Sequence, residues 1–134
     1  MASGLTLKLP AVLDDANGLK LITNFSDLVE QNLKNLLLTI PGERVMDPTF
    51  GVGLATYLFE PNDPITYADI QAKIQQQVQK YMPFVQINNI MFTSSATSPD
   101  GAMATAGTST DPNYVGLSIT YTIIPIKTTK TMNL

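Results

Sequence analysis

Leu5, Leu7 and Leu9 alternate with Thr6 and Lys8, the period-two pattern of a half-buried strand, and Pro10 ends it. Asp14, Asp15, Asn17 and Gly18 supply turn chemistry, so Leu19 to Ile22 is expected to return as a second short strand. From Ser26 or Asp27 the spacing changes to threes and fours. Phe25, Leu28, Val29, Leu33, Leu36, Leu37 and Ile40 then form the stripe of an amphipathic helix. Asp27 with Glu30 resembles a capping box with Asp in the Ser/Thr place, and Pro41-Gly42 ends the helix. Glu43 to Pro61 is irregular but rich in apolar residues, as a packed connection is. A second helix is expected with Asp63 as N-cap, Pro64 at its first position, and Tyr67, Ile70, Ile74, Val78 and Tyr81 on one face. Its Gln-rich opposite face (Gln71, Gln75, Gln76, Gln77 and Gln79) reads as solvated surface.

Pro83 marks the exit from this helix, and Val85, Ile87, Ile90 and Phe92 predict a strand. Tyr114 to Ile124 alternates most clearly of all, and the two strands are expected to pair as a hairpin. Between them the 21 residues from Thr93 to Asn113 are nearly all Ser, Thr, Ala, Gly, Pro and Asp, which predicts a flexible hairpin loop. From Pro125 the chain reads as a short polar C-terminal tail. The expectation is one α+β domain over residues 1–134, a small mixed or antiparallel sheet packed against two main helices.

Composition narrows the function. A chain of 134 residues that is 44% apolar and 14% charged can bury a core without disulfides, and it has no Cys to form them. The absence of His and Cys excludes most catalytic constellations and the usual zinc ligands. The net charge of −3, with eight basic residues scattered along the sequence, argues against nucleic acid as a partner. No apolar run approaches the ~18 residues of a membrane span, and the first ten residues lack a signal-peptide core, so neither membrane nor export is expected. Low charge with a mean hydropathy of +0.09 points to a subunit covered by neighbours in an assembly.

Candidate chemistry is sparse. Gly51-Val52-Gly53 lacks the third Gly of a dinucleotide fingerprint and the Lys of a P-loop, so tight turns explain it better. Glu43, Asp47, Glu60 and Asp63 are the only carboxylates clustered near apolar residues that could do glycosidase work, and each has a plainer role in a cap, a turn or an ion pair. Arg44, the lone arginine, is suited to bidentate anchoring of a carboxylate or carbonyls, either within the fold or across an interface.

The run Leu36-Leu37-Leu38-Thr39-Ile40-Pro41-Gly42-Glu43-Arg44-Val45-Met46-Asp47-Pro48-Thr49-Phe50-Gly51-Val52-Gly53-Leu54, followed by Leu58-Phe59-Glu60-Pro61, resembles the signature of the baseplate wedge and sheath-initiator family of contractile phage tails, also described as lysozyme-like wedge proteins. The resemblance extends over about residues 5 to 125. It implies a structural subunit of the virion tail baseplate, made in the host cytoplasm, with no cofactor and no chemistry of its own. Several copies would join the wedges of a sixfold baseplate around the tail hub and tube, contact other wedge proteins, and initiate the tail sheath by strand exchange. It places wedge contacts at Glu43, Arg44, Glu60 and Pro61. The sheath-pairing edge is expected on the last alternating strand, at Tyr114, Leu117, Ile119, Thr120, Tyr121, Thr122 and Ile123. Two departures stand out: Asn62 follows Glu60-Pro61 where many relatives carry Arg, and the Thr93 to Asn113 excursion is long. Related subunits occur in type VI secretion and other contractile injection systems. The competing functions are a peptidoglycan hydrolase, with Glu43 or Glu60 as the acid, and an adaptor that completes the wedge bundle without touching sheath.

Overall fold

A computed structural model describes residues 4–14, 18–94 and 115–134. The chain is α+β, as its patterning predicts. Strands β1 (Thr6–Leu7) and β4 (Leu21–Ile22) pair antiparallel, as do β2 (Leu13–Asp14) and β3 (Gly18–Leu19). Helix α1 (Phe25–Leu38), a 3₁₀ helix (Leu54–Phe59) and helix α2 (Pro64–Tyr81) follow. An antiparallel sheet in the order β5-β6-β7 completes the domain, from β5 (Val85–Ser94), β6 (Val115–Ile123) and β7 (Thr128–Asn133). Val29, Leu33, Leu36 and Leu37 of α1, Ile70, Ile74 and Val78 of α2, and Leu117, Ile119, Tyr121 and Ile123 of β6 form one core. These are the apolar stripes at helical and strand spacing, brought face to face.

Several boundaries differ from the sequence expectation. Helix α1 starts earlier: Asn24 is the N-cap, its side chain accepting from the Ser26 N–H at 3.3 Å, which frees Asp27 for another partner. The helix stops at Leu38, because Ile40 precedes proline and is steered out of the helical region. Pro64 opens α2 as expected, while Asp63 holds the cap position without a side-chain cap bond. Four of the five glutamines on the outer face of α2 are exposed. Gln77 instead bridges the loop after α1, accepting from Gly51 N at 3.3 Å and donating to Thr49 O at 3.1 Å.

Strand β5 runs through Thr93 and Ser94, which pair with Gly116 and Val115, so the first two residues of the expected loop belong to the sheet. The remainder of the expected loop and Tyr114 lie outside the described residues. A β-bulge lies between Ile87 and Asn89. It explains why Val85 and Ile87, then Ile90 and Phe92, fall on odd and then even positions yet oppose Ile123, Tyr121, Ile119 and Leu117 in turn. The extra residue, Asn88, shifts the alternation by one and donates its side-chain amide to Thr122 Oγ1 at 2.7 Å.

The larger correction is β7. The segment read as a polar tail is a six-residue strand paired along β6 from Ser118↔Asn133 to Ile123↔Thr128. Strand β6 is therefore central, with both edges filled by its own chain. The placement of a sheath-pairing edge at Leu117 to Ile123 is overturned on that ground.

Candidate functional site

The signature loop from Thr39 to Gly53 is built as a cap on α1. Val52, itself buried, turns back and donates its N–H to Leu36 O at 3.0 Å, satisfying one of the carbonyls that a helix end leaves open. Thr39 Oγ1 reaches Asn35 O at 2.6 Å, and the Glu43 carboxylate accepts from Ile40 N at 3.0 Å. Gly51, at φ +112°, lies so close to Thr39 that a Cβ would meet Thr39 O at 2.1 Å. The Gly-x-Gly pattern is thus a requirement of the turn.

A polar clasp that the sequence did not reveal ties this loop to α2. Asp47 accepts from Thr49 N at 3.1 Å, Thr49 Oγ1 at 2.8 Å and Tyr81 Oη at 2.7 Å, and Lys80 Nζ donates to Thr49 Oγ1 at 2.8 Å. Asp47-Pro48-Thr49 carries the local signal of an Asx turn, but its partners sit more than thirty positions away. The Tyr81 hydroxyl, followed by the Thr49 hydroxyl, holds the Asp47 carboxyl below its ordinary pKa.

Within this frame the expected wedge-contact residues are all exposed. Arg44 has no ion-pair partner among the described residues. Its guanidinium carbon lies over the Phe50 ring, 3.7 Å from the centroid, and Phe50 in turn meets Tyr81 edge-on. Val45 and Met46 beside it are 95% and 97% exposed. Glu60 and Pro61 lie at the end of the 3₁₀ helix and line an apolar groove of about 670 Å³ that also touches Leu117. Leu58 and Phe59, on the same helix, are 78% and 95% exposed. Asn62 accepts a hydrogen bond from the Tyr67 hydroxyl and so serves the fold. Tyr57 Oη donates to Asp69 at 2.6 Å, and that bond comes first among the influences that lower the Asp69 pKa, ahead of the Lys73 ammonium.

The sheet residues divide by face. Leu117, Ile119, Tyr121 and Ile123 are buried core. Thr120 and Thr122 stand on the opposite face and meet Thr131 and Thr129, with oxygens 3.3 and 3.0 Å apart. Leu117 and Leu134 exchange both backbone bonds, at 3.0 and 2.8 Å. Alternation along an antiparallel ladder then turns the backbone groups of Met132, Lys130 and Thr128 toward β6, and those of Thr129, Thr131 and Asn133 outward. Outside β7 no described strand pairs with them.

Lys130 anchors β7 to α1, its ammonium 3.0 Å from Asp27 and 3.1 Å from Glu30. The same contact with Lys130 lowers the Asp27 pKa, and its bonds to Asp27 and Glu30 raise that of Lys130. This is the role Asp27 takes up in place of capping. From the same face of the helix, one turn on from Asp27, the Gln31 amide holds β1 and the residues after it, donating to Leu7 O at 3.0 Å and accepting from Leu9 N at 2.8 Å.

Two solved structures share this fold. One is the cryo-EM structure of the anti-feeding prophage baseplate, sixfold symmetrised, at 20% identity and a TM-score of 0.66, covering 88% of this chain and 83% of that one. The other is a crystal structure from Geobacter sulfurreducens given the provisional description of a tail lysozyme, at 18% identity and a TM-score of 0.62, covering 85% of this chain and 91% of that one. No curated protein matches the sequence. A family model described as baseplate wedge protein gp25 matches residues 23–125, from the start of α1 through the capping loop, α2 and the hairpin of β5 with β6. The chain belongs to that family of structural baseplate proteins.

Proposed function

We propose that the protein is a non-catalytic wedge subunit of a contractile-tail baseplate, present in several copies around the hub, and that it starts the sheath by strand exchange along β7. The carrying observation is the outward row of backbone groups at Thr129, Thr131 and Asn133. An arriving strand could complete this ladder with register and main-chain hydrogen bonds. The opposite edge of the sheet is β5, which the bulge at Asn88 bends and interrupts, so β7 is the better template. Glu43, Arg44, Glu60 and Pro61, with the exposed Val45, Met46, Leu58 and Phe59 around them, are assigned to the wedge. The particle assembles in the host cytoplasm and the subunit remains in its baseplate.

A proline at Thr131 removes one outward donor without breaking the ladder to β6, and is tolerated on an edge strand. Thr131→Pro particles are expected to form baseplates that carry no sheath, as seen by electron microscopy. Normally sheathed tails would refute the assignment.

The hydrolase alternative finds little support in the placement of its candidate acids. A glycosidase acid is kept protonated by burial in an apolar pocket, whereas Glu43 and Glu60 are both exposed and the Glu43 carboxylate accepts from Ile40 N–H. Cleavage of peptidoglycan by the purified protein, lost in Glu43→Gln or Glu60→Gln, would overturn the non-catalytic reading.

A further inference from the structure

A second groove, of about 580 Å³, runs beside Thr131, Met132 and Asn133 of β7. Its opposite wall carries Lys8, Lys20 and Lys34, from the segments around β1 and β4 and from α1. The groove also contains Asp27 and Glu30, but both carboxylates are taken by Lys130. Among the described residues Lys8, Lys20 and Lys34 have no carboxylate within ion-pair distance, and all three are exposed. The eight basic residues, scattered in sequence, are therefore half gathered here (Lys8, Lys20, Lys34 and Lys130), on a chain whose net charge is −3. Ammonium groups with no carboxylate partner among the described residues, set beside an open strand edge, form a positive wall along the path an added strand would take.

We infer that the segment pairing with β7 is an extended acidic arm, whose carboxylates on the side facing α1 meet Lys8, Lys20 and Lys34 while its backbone completes the sheet. The inference rests on β7 being the docking edge, and it adds the chemistry of the occupant. Backbone pairing alone accepts any extended chain, because the ladder carries no side-chain information. The lysines supply the discrimination. They attract carboxylates, and they repel a basic strand by placing like charges side by side. They also speed encounter at low ionic strength.

The test uses the full chain and three short synthetic peptides that alternate valine with glutamate, glutamine or lysine, with binding followed by fluorescence anisotropy at low and physiological salt. The glutamate peptide is expected to bind at least about tenfold more tightly than the lysine peptide, with the advantage shrinking as salt rises. In the triple variant Lys8→Gln, Lys20→Gln, Lys34→Gln that advantage should vanish while the glutamine peptide binds as before. Thr131→Pro should abolish binding of all three. Equal binding of all peptides, lost in Thr131→Pro, would refute the acidic preference and leave the edge assignment standing. Undiminished binding of the glutamate peptide to Thr131→Pro would refute the edge assignment and reduce the lysines to a general anion surface. No binding by any peptide would overturn both.

Discussion

Replacing Gly51 by alanine tests the claim that the signature glycines serve the cap on α1. At φ +112° an L-residue is strained, at about 1–3 kcal/mol. The added Cβ would also meet the Thr39 carbonyl oxygen at 2.1 Å and its carbon at 2.8 Å, both backbone atoms at the helix end that the loop closes. Relief would require the loop to withdraw, which would lengthen the bond from Val52 N–H to Leu36 O and partly expose the buried Val52. A lost hydrogen bond of this kind is worth about 1 kcal/mol, and partial exposure of a valine about as much again. The alanine variant gains back about 0.4–1 kcal/mol from its stiffer unfolded chain. The net loss is then about 3 kcal/mol.

Gly42→Ala is the internal control, since Gly42 has φ +97° but nothing within 4 Å of an added Cβ. It should lose only the strain less the entropy gain, about 1 kcal/mol. Urea unfolding followed by circular dichroism would give both values, and hydrogen exchange at the Val52 amide should quicken in Gly51→Ala alone. Equal losses in the two variants, or a loss under about 1 kcal/mol for Gly51→Ala, would refute the close-approach argument.

Two further predictions concern β6 and β7. The Tyr121 hydroxyl is buried with no hydrogen-bond partner among the described residues, and burial raises its pKa, so Tyr121→Phe should stabilise the fold by about 1 kcal/mol in urea titrations. A loss of similar size would reveal a partner for the hydroxyl. Asp27 has its pKa lowered below its ordinary 3.8, so the contact with Lys130 contributes fully above that value and is lost as pH falls through the depressed one. Because the Asp27 side chain is 55% exposed, solvent screening limits the effect to about 0.2–1 kcal/mol. The protection factors of the β7 amides, which are corrected for the intrinsic pH dependence of exchange, should fall on acidification in the wild type and be nearly insensitive to pH over that range in Lys130→Met; equal acid sensitivity in both would refute the anchor.

Legibility varied with how apolar each element is. The α1 and α2 stripes, the N1 proline and the pairing of β5 with β6 were all readable, because their inward positions are Leu, Ile, Val and Tyr at regular spacing. Strand β7 was not. Its inward positions are Thr128, Lys130 and Met132, and only the last is apolar, so alternation left no hydrophobic trace. That one omission moved the open edge from β7 to β6 in the sequence reading. The stacking of Arg44 was not legible either: formal charge says nothing of the aromatic face six residues on over which the guanidinium lies. The clasp of Asp47, Thr49, Lys80 and Tyr81 joins segments too distant in sequence for any local pattern to connect.

Under the proposed strand exchange, the single extra residue at Asn88 would set the valence of the subunit. Without it, Val85, Ile87, Ile90 and Phe92 would alternate perfectly and β5 would be a flat ribbon as receptive as β7. A sheet with two receptive margins is a bivalent monomer, able to join head to tail with its own copies into an open fibre. In the proposed exchange, one blunted margin leaves each copy a single socket, and the number of strands that a ring of copies would recruit is then fixed by the number of copies in it.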